Sequence, residues 1–350
     1  LQKLYIFFIS FVLFIIIFFT TYLNASSFKV SDIEISSSFE LNFKKNSIID
    51  KGFQTSFLNL LSMITTSGDM NKIQDIPIKE LKSMIDSFTI SDEKFVNNKY
   101  FAKLETTFNK KKILNFLERK SIFPSMLIRN KVLLVPILVD AEKNNIHLFN
   151  ENIFYKKWNN IKKKHQLLDY LLPSEDLEDL NKIQEMSNTI ETYDFTNLIA
   201  KYDLKDYIIL IIYKDDKEIK ILSKINLNNS LKINNQKYSK INLDNEEDIN
   251  KILVNLKNVY EDQWKENNQI NTSIKLPLTI AIDSKNLKKI KQLEEVLNKN
   301  DLVADFYILK FDSQNTQYRI IYNGSPKTFF NNMANKDFDL VLNNNVWKLK

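Results

Sequence analysis

From Leu4 to Phe19 every residue is apolar except Ser10, and Tyr22-Leu23 extend the run past two threonines. A helix that spans a bilayer needs about 20 apolar residues, and Tyr5 to Leu23 meets that at the low end. The run is apolar all round, whereas a core helix of a soluble protein shows a polar side. Lys3 supplies a basic start, and Leu23-Asn24-Ala25 forms a small-residue cleavage site. Residues 1–25 are therefore expected to be a signal peptide cut after Ala25, or an anchor that keeps residues 4–23 in the inner membrane. The basic flank is N-terminal, which directs the body out of the cytoplasm in either case. The expected location is the periplasm.

Beyond the leader the pattern predicts three mixed α/β units, an α+β or α/β chain overall. Over residues 26–125 it gives β-α-α-β-α. A strand runs from Phe28 to Ile35, and Ile49, Phe53, Phe57, Leu60, Leu61 and Ile64 mark a helix over Ser47–Ile64. A short helix near Lys79–Asp86 enters through Pro77. Phe95–Phe108 reads as a long strand region, and Asn109 caps a helix bearing Ile113, Leu114 and Leu117.

Over residues 130–228, Val132–Val139 and Tyr207–Tyr213 are continuous apolar runs of the kind buried on both sheet faces. Pro136 has no N–H for a ladder, so it marks either a bulge or a free edge. Helices near Phe154–Lys164, Ser174–Met186 and Thr196–Tyr202 separate these strands, and Glu218–Asn226 closes the unit. Leu231–Leu243 is polar and reads as a linker or hairpin. The last unit, residues 244–350, opens on a long helix with an Asp244/Glu247 capping box. Strands and helices then follow in the ferredoxin-like order βαββαβ, with a terminal hairpin. Division of the chain is expected near residues 124–130 and 228–244.

The body is rich in Asn, Lys and Ile, residues with A/T-rich codons, so the formal net charge of +6 carries little weight as a sign of a nucleic-acid partner. No basic stripe interleaved with stacking aromatics appears, and nucleic-acid binding is not expected. The absence of cysteine excludes disulfides, thiolate metal sites and cysteine nucleophiles together. An exported chain without disulfides suits a bacterial periplasm.

No catalytic, cofactor or metal residue is assigned. Gly52, Gly68 and Gly324 are isolated, which removes phosphate loops and dinucleotide fingerprints. His147 and His165 lack further ligands at metal spacing. Glu175, Asp176, Glu178 and Asp179 form the densest acidic cluster; helix-start carboxylates after a Ser174 cap explain it more simply than a cation site or an acid/base pair. Asp283, Asp301, Asp305 and Asp312 lie at strand and loop ends. Lys156, Lys157, Lys162, Lys163 and Lys164 surround Trp158 on a helix that either lies on an anionic membrane or buries Trp158 in its own unit; burial is expected.

Certain landmarks, in their order and spacing, resemble a known family. They are Lys51-Gly52-Phe53, Val135-Pro136, Trp158, Pro173-Ser174-Glu175-Asp176-Leu177-Glu178-Asp179, Leu198-Ile199-Ala200-Lys201-Tyr202, Tyr322-Asn323-Gly324 and Trp347-Lys348-Leu349. Through nearly the whole exported body the chain is similar to the bacterial envelope family known as domain of unknown function 2066, in its alphaproteobacterial form. It departs from that form in lacking an Ala-Arg-rich start to the first helix. The resemblance implies a signal-bearing envelope protein and no catalytic residues. The expected function is a non-catalytic interaction or assembly module whose partners are other envelope proteins, with possible contact to the membrane surface and no cofactor. The alternatives are a carboxylate-based hydrolase of envelope glycans and a binder of lipid or another small ligand.

Overall fold

The computed structural model describes residues 28–349 other than 74–75, 144, 162–165, 187–188, 216–217, 301 and 344–345. The expected leader and cleavage site lie outside the described residues, as do Lys162, Lys163, Lys164, His165 and Asp301. Among the described residues no helix is long and apolar enough to cross a membrane. They form a mixed α+β structure with three sheets and ten α-helices.

In the first sheet β1 (Lys29–Ser38), β2 (Ile85–Val96) and β3 (Lys99–Phe108) are ordered β1-β3-β2, all antiparallel. Helix α1 (Lys45–Ile64) packs on it through Phe53, Phe57, Leu60 and Leu61. The approach is close at Gly52, where a Cβ would meet Leu104 at 2.7 Å and Ile35 at 2.9 Å. Helices α2 (Ser67–Met70), α3 (Ile78–Ser83) and α4 (Lys110–Arg119) complete the unit, and Asn109 accepts from the Lys112 N–H to cap α4. The expected single strand over 95–108 is a hairpin. Asn97 and Asn98 turn it with positive φ values of 50° and 56°, as a two-residue hairpin loop requires. The strand missed, β2, is almost wholly exposed, so it has no buried face to impose alternation.

The second sheet runs β5-β4-β7-β8-β9, with β6 also on β4. Its strands are β4 (Asn130–Asp140), β5 (Asn145–His147), β6 (Leu168–Leu171), β7 (Tyr207–Asp215), β8 (Glu218–Leu227) and β9 (Ser230–Ser239). β4 is parallel to β6 and β7, and the other pairings are antiparallel. Alternate residues of β4 enter two cores: Val132, Leu134 and Leu138 on one face, Leu133, Val135, Ile137 and Val139 on the other. Both faces are buried, as such apolar runs require. Pro136 sits at a free edge and not at a bulge. Opposite β7, β6 covers Asn130–Leu133 and β5 covers Leu138–Asp140, which leaves a gap between them. Buried Asn152 fills it: Nδ2 donates to the Pro136 carbonyl at 3.1 Å, while Oδ1 accepts from Phe154 N–H to cap α5 (Ile153–Lys157).

Helices α6 (Leu177–Gln184) and α7 (Thr196–Ala200) lie near the second core. The helix expected over Phe154–Lys164 is shorter, because α5 passes into a 3-10 turn at Trp158–Asn160. Leu231–Leu243 is no linker, since β9 occupies most of it and pairs along the whole of β8. The long helix α8 (Glu246–Asn267) packs on this sheet through Ile249, Ile252, Leu253, Leu256, Tyr260 and Trp264. It therefore belongs to the middle unit rather than the last. Its cap is Asn245, which accepts from Glu247 N–H, and not Asp244.

The third sheet contains β10 (Leu276–Asp283), β11 (Val303–Phe311), β12 (Asn315–Tyr322), β13 (Leu340–Asn343) and β14 (Val346–Leu349), in the order β11-β12-β10-β14-β13. Helices α9 (Leu287–Lys299) and α10 (Pro326–Ala334) cover one face through Leu293, Leu297, Phe329 and Met333. Ser325 caps α10 and Pro326 takes its first position. A ferredoxin-like split would place the strand after α10 antiparallel beside β10. Here β14 holds that place, runs parallel to β10 and carries β13 outside it.

The segment expected to divide the first two units is pinned. Ser125 N–H donates to Ile64, Met126 N–H to Asn268, and Ile270 N–H to Pro124.

Candidate functional site

The densest group of buried charge lies on the flank of α8. Lys257, Glu261 and Lys265 recur every four residues, so they share one face, and each is nearly inaccessible to water. Lys257 donates to the carbonyls of Trp158 and Ile161 and lies 5.4 Å from the Trp158 ring centre. The Glu261 carboxylate accepts from the N–H groups of Leu167 and Leu168, the latter at 2.8 Å. Lys265 donates to the carbonyl of Ser62, in the last turn of α1, at 2.7 Å. One helix face thus ties down the turn after α5, the start of β6 and the end of α1. Burial raises the Glu261 pKa, opposed by the two backbone N–H groups and by Lys265. Burial lowers the Lys265 pKa, opposed by Glu261 and Asp262.

Two clefts flank this row. One of about 450 Å³ is lined by Arg129, Lys131, Asn159, Asp169, Tyr170 and Lys257. It opens at the N-terminal ends of β4 and β6, whereas ligands of parallel α/β sheets sit beyond the carboxyl ends. The other, about 200 Å³, lies between α1 and α8 and is lined by Ser62, Thr65, Ser67, Asn258, Asp262 and Lys265, with Glu261 beside them. Glu261 and Asp262 share it, but successive helix residues do not face each other. Both carboxylates are also engaged: Asp262 accepts from the N–H and hydroxyl of Ser67, as Glu261 does from β6. The geometry serves attachment better than acid/base work on a glycan.

The acidic cluster caps a helix, through a different residue from the one expected. Asp176, not Ser174, accepts from the N–H groups of Glu178 and Asp179. Lys201 bridges Asp176 at 2.9 Å and Asp179 at 2.8 Å, Lys182 pairs with Glu178, and Glu175 accepts from Asn150. The Lys201 hydrogen bond, then the two N–H groups, hold Asp176 below its usual range. No group of three or more His, Cys, Asp or Glu arranged for a metal occurs among the described residues.

Trp158 is buried, stacked on Tyr260 at 6.1 Å and edge-on to Tyr170 at 5.3 Å. It is unavailable to a membrane, and Lys157 pairs with Glu246 while Lys156 points to solvent. The His147 ring lies 3.4 Å from the Glu151 carboxylate. Asp283 and Asp312 accept from N–H groups of their own turns, and Asp305 pairs with Lys111 at 2.6 Å.

Sequence reading missed Lys257, Glu261 and Lys265, although a signal existed. Each follows a core residue (Leu256, Tyr260, Trp264) in a fourfold rhythm. It also missed β11 as a surface. Tyr307, Ile308, Leu309 and Phe311 are 50%, 52%, 53% and 68% exposed on a strand that, among the described residues, has no strand paired on its outer side. No protein-family model and no curated protein matches this chain.

Proposed function

We propose that the chain is exported through residues 1–25, by cleavage after Ala25 or with residues 4–23 retained as an anchor. In the periplasm it works as a non-catalytic interaction module of the cell envelope, akin to the domain of unknown function 2066 proteins. The observation that carries this reading is the outer edge of β11. Long, apolar, unpaired strands invite pairing with another chain, and proteins usually blunt them with charge, brevity or cover. The ionisable clusters, by contrast, are engaged in holding the chain's own backbone and helix ends. A photo-crosslinking residue at Leu309 in the full chain, in its native cells, is expected to give discrete protein adducts, and the same residue at exposed Leu287 to give none. A reporter active only outside the cytoplasm, fused after Lys350, is expected to be active. Absence of adducts at Leu309 would overturn the module reading, and a silent reporter would overturn the location.

A further inference from the structure

Each sheet has two edges, and most of them are guarded. β5 and β6, which share one edge, have only three and four residues, and β13 has four. β9 exposes Leu231 and Ile233, but Lys232 and Lys237 on the same strand are paired to Glu266 and Glu218. β2 mixes Phe88 and Phe95 with Asp86, Asp92, Glu93 and Lys94, and β1 exposes Lys29, Asp32 and Glu34. β11 differs, because between Asp305 and Lys310 every residue is apolar or Tyr.

The register of β11 against β12 gives this edge a symmetry. Asp305 lies opposite Ile321, Tyr307 opposite Arg319 and, after a shift between Ile308 and Lys310, Lys310 opposite Gln317. Cross-strand partners share a face, and Ile321, Arg319 and Gln317 alternate along β12. Asp305, Tyr307 and Lys310 therefore lie on one face, which an unshifted strand would not allow. We infer that β11 pairs antiparallel with β11 of a second copy of this chain, about a twofold axis through Tyr307. That register sets Tyr307 against itself, Phe306 against Ile308 of the second copy, and Asp305 against its Lys310, twice over. The edge is self-complementary in charge as an isologous interface must be. Asp305 already holds Lys111, and Lys310 lies 3.5 Å from Asp312, so the contact joins two ion pairs into a four-charge group. The inference rests on the module reading and names its partner.

The chain contains no cysteine, so a single introduced one reports the register. Directly opposed residues in antiparallel strands have Cα atoms about 4.5–5.5 Å apart, inside the disulfide range of about 4.4–6.8 Å. The full chain carrying Tyr307→Cys, solubilised in detergent and treated with copper-phenanthroline, is expected to become mostly covalent dimer. Leu287→Cys, exposed on α9, is expected to stay monomeric. In the Tyr307→Cys background, Asp305→Lys or Lys310→Asp alone is expected to weaken dimerisation roughly two- to tenfold, as exposed ion pairs imply. The double reversal is expected to recover part of it, because Lys111 and Asp312 then face like charges within each copy, and thermal unfolding of each variant reports folding separately. Equal yields from Tyr307→Cys and Leu287→Cys would overturn the second copy as occupant. A double reversal that dimerises no better than either single reversal would overturn the register. If Leu309 still captures a different protein, the module reading survives with another partner.

Discussion

Trp158 is held on three sides, by the stacked Tyr260 ring, by the edge of Tyr170 and by the Lys257 ammonium. Truncating a buried aromatic costs about 3–5 kcal/mol, so Trp158→Ala is expected to lower the unfolding free energy by that much in urea titrations. The indole Nε1 is buried and has no hydrogen-bond partner among the described residues. Trp158→Phe discards that donor and so is expected to be much milder, since an unsatisfied buried donor itself costs about 1–3 kcal/mol. Unaltered unfolding of Trp158→Ala would show that the ring is not in the core. Burial of Trp158 was the expectation from the sequence. The partners of Lys257, Glu261 and Lys265 were not legible, because they are backbone groups of distant segments, and no side-chain identity in the sequence encodes them.

At the scale of elements, α8 joins the middle sheet to the first unit through a buried charge row, and that row makes stability depend on pH. Burial holds the Glu261 carboxyl above its ordinary value of 4.5, so the folded chain binds that proton more tightly than the unfolded chain does. The stability this contributes is complete below pH 4.5 and is lost as pH rises through the raised value. Glu261→Gln cannot titrate. Urea midpoints are therefore expected to show the native chain losing stability relative to Glu261→Gln as pH climbs from 4.5, and a constant difference would contradict it. Lys265 acts at the other end of the scale. Its pKa is depressed, so its contribution is present above 10.5 and lost as pH falls through the lowered value.

The elements also show which signals the sequence carries. β4 and β7 were legible because both their faces are buried, and an uninterrupted apolar run has no other stable place. β2 was not legible, because solvent on nearly all of its side chains imposes no period. The apolar stripe of α8 announced that the helix packs but not on which sheet, which depends on long-range geometry. Likewise the terminal hairpin was visible from Val346-Trp347-Lys348-Leu349, while its insertion beside β10 was not.

On the scale of the whole molecule, three sheets are linked by short pinned segments. Pro124–Met126 is stitched to Asn268–Ile270, Lys275 pairs with Glu118, and Lys111 reaches Asp305. Contact between the first and last units leaves the outer edge of β11 beyond Asp305 uncovered. The central claim, that this edge is where a second copy of the chain docks, is tested most directly by amide hydrogen exchange on the full chain over a range of protein concentrations. The account predicts that the amides of Tyr307–Phe311 gain protection as concentration rises, while those of the charged edge strand β9, Leu231–Lys237, do not change. Exchange in Tyr307–Phe311 that stays equally fast at every concentration would contradict it.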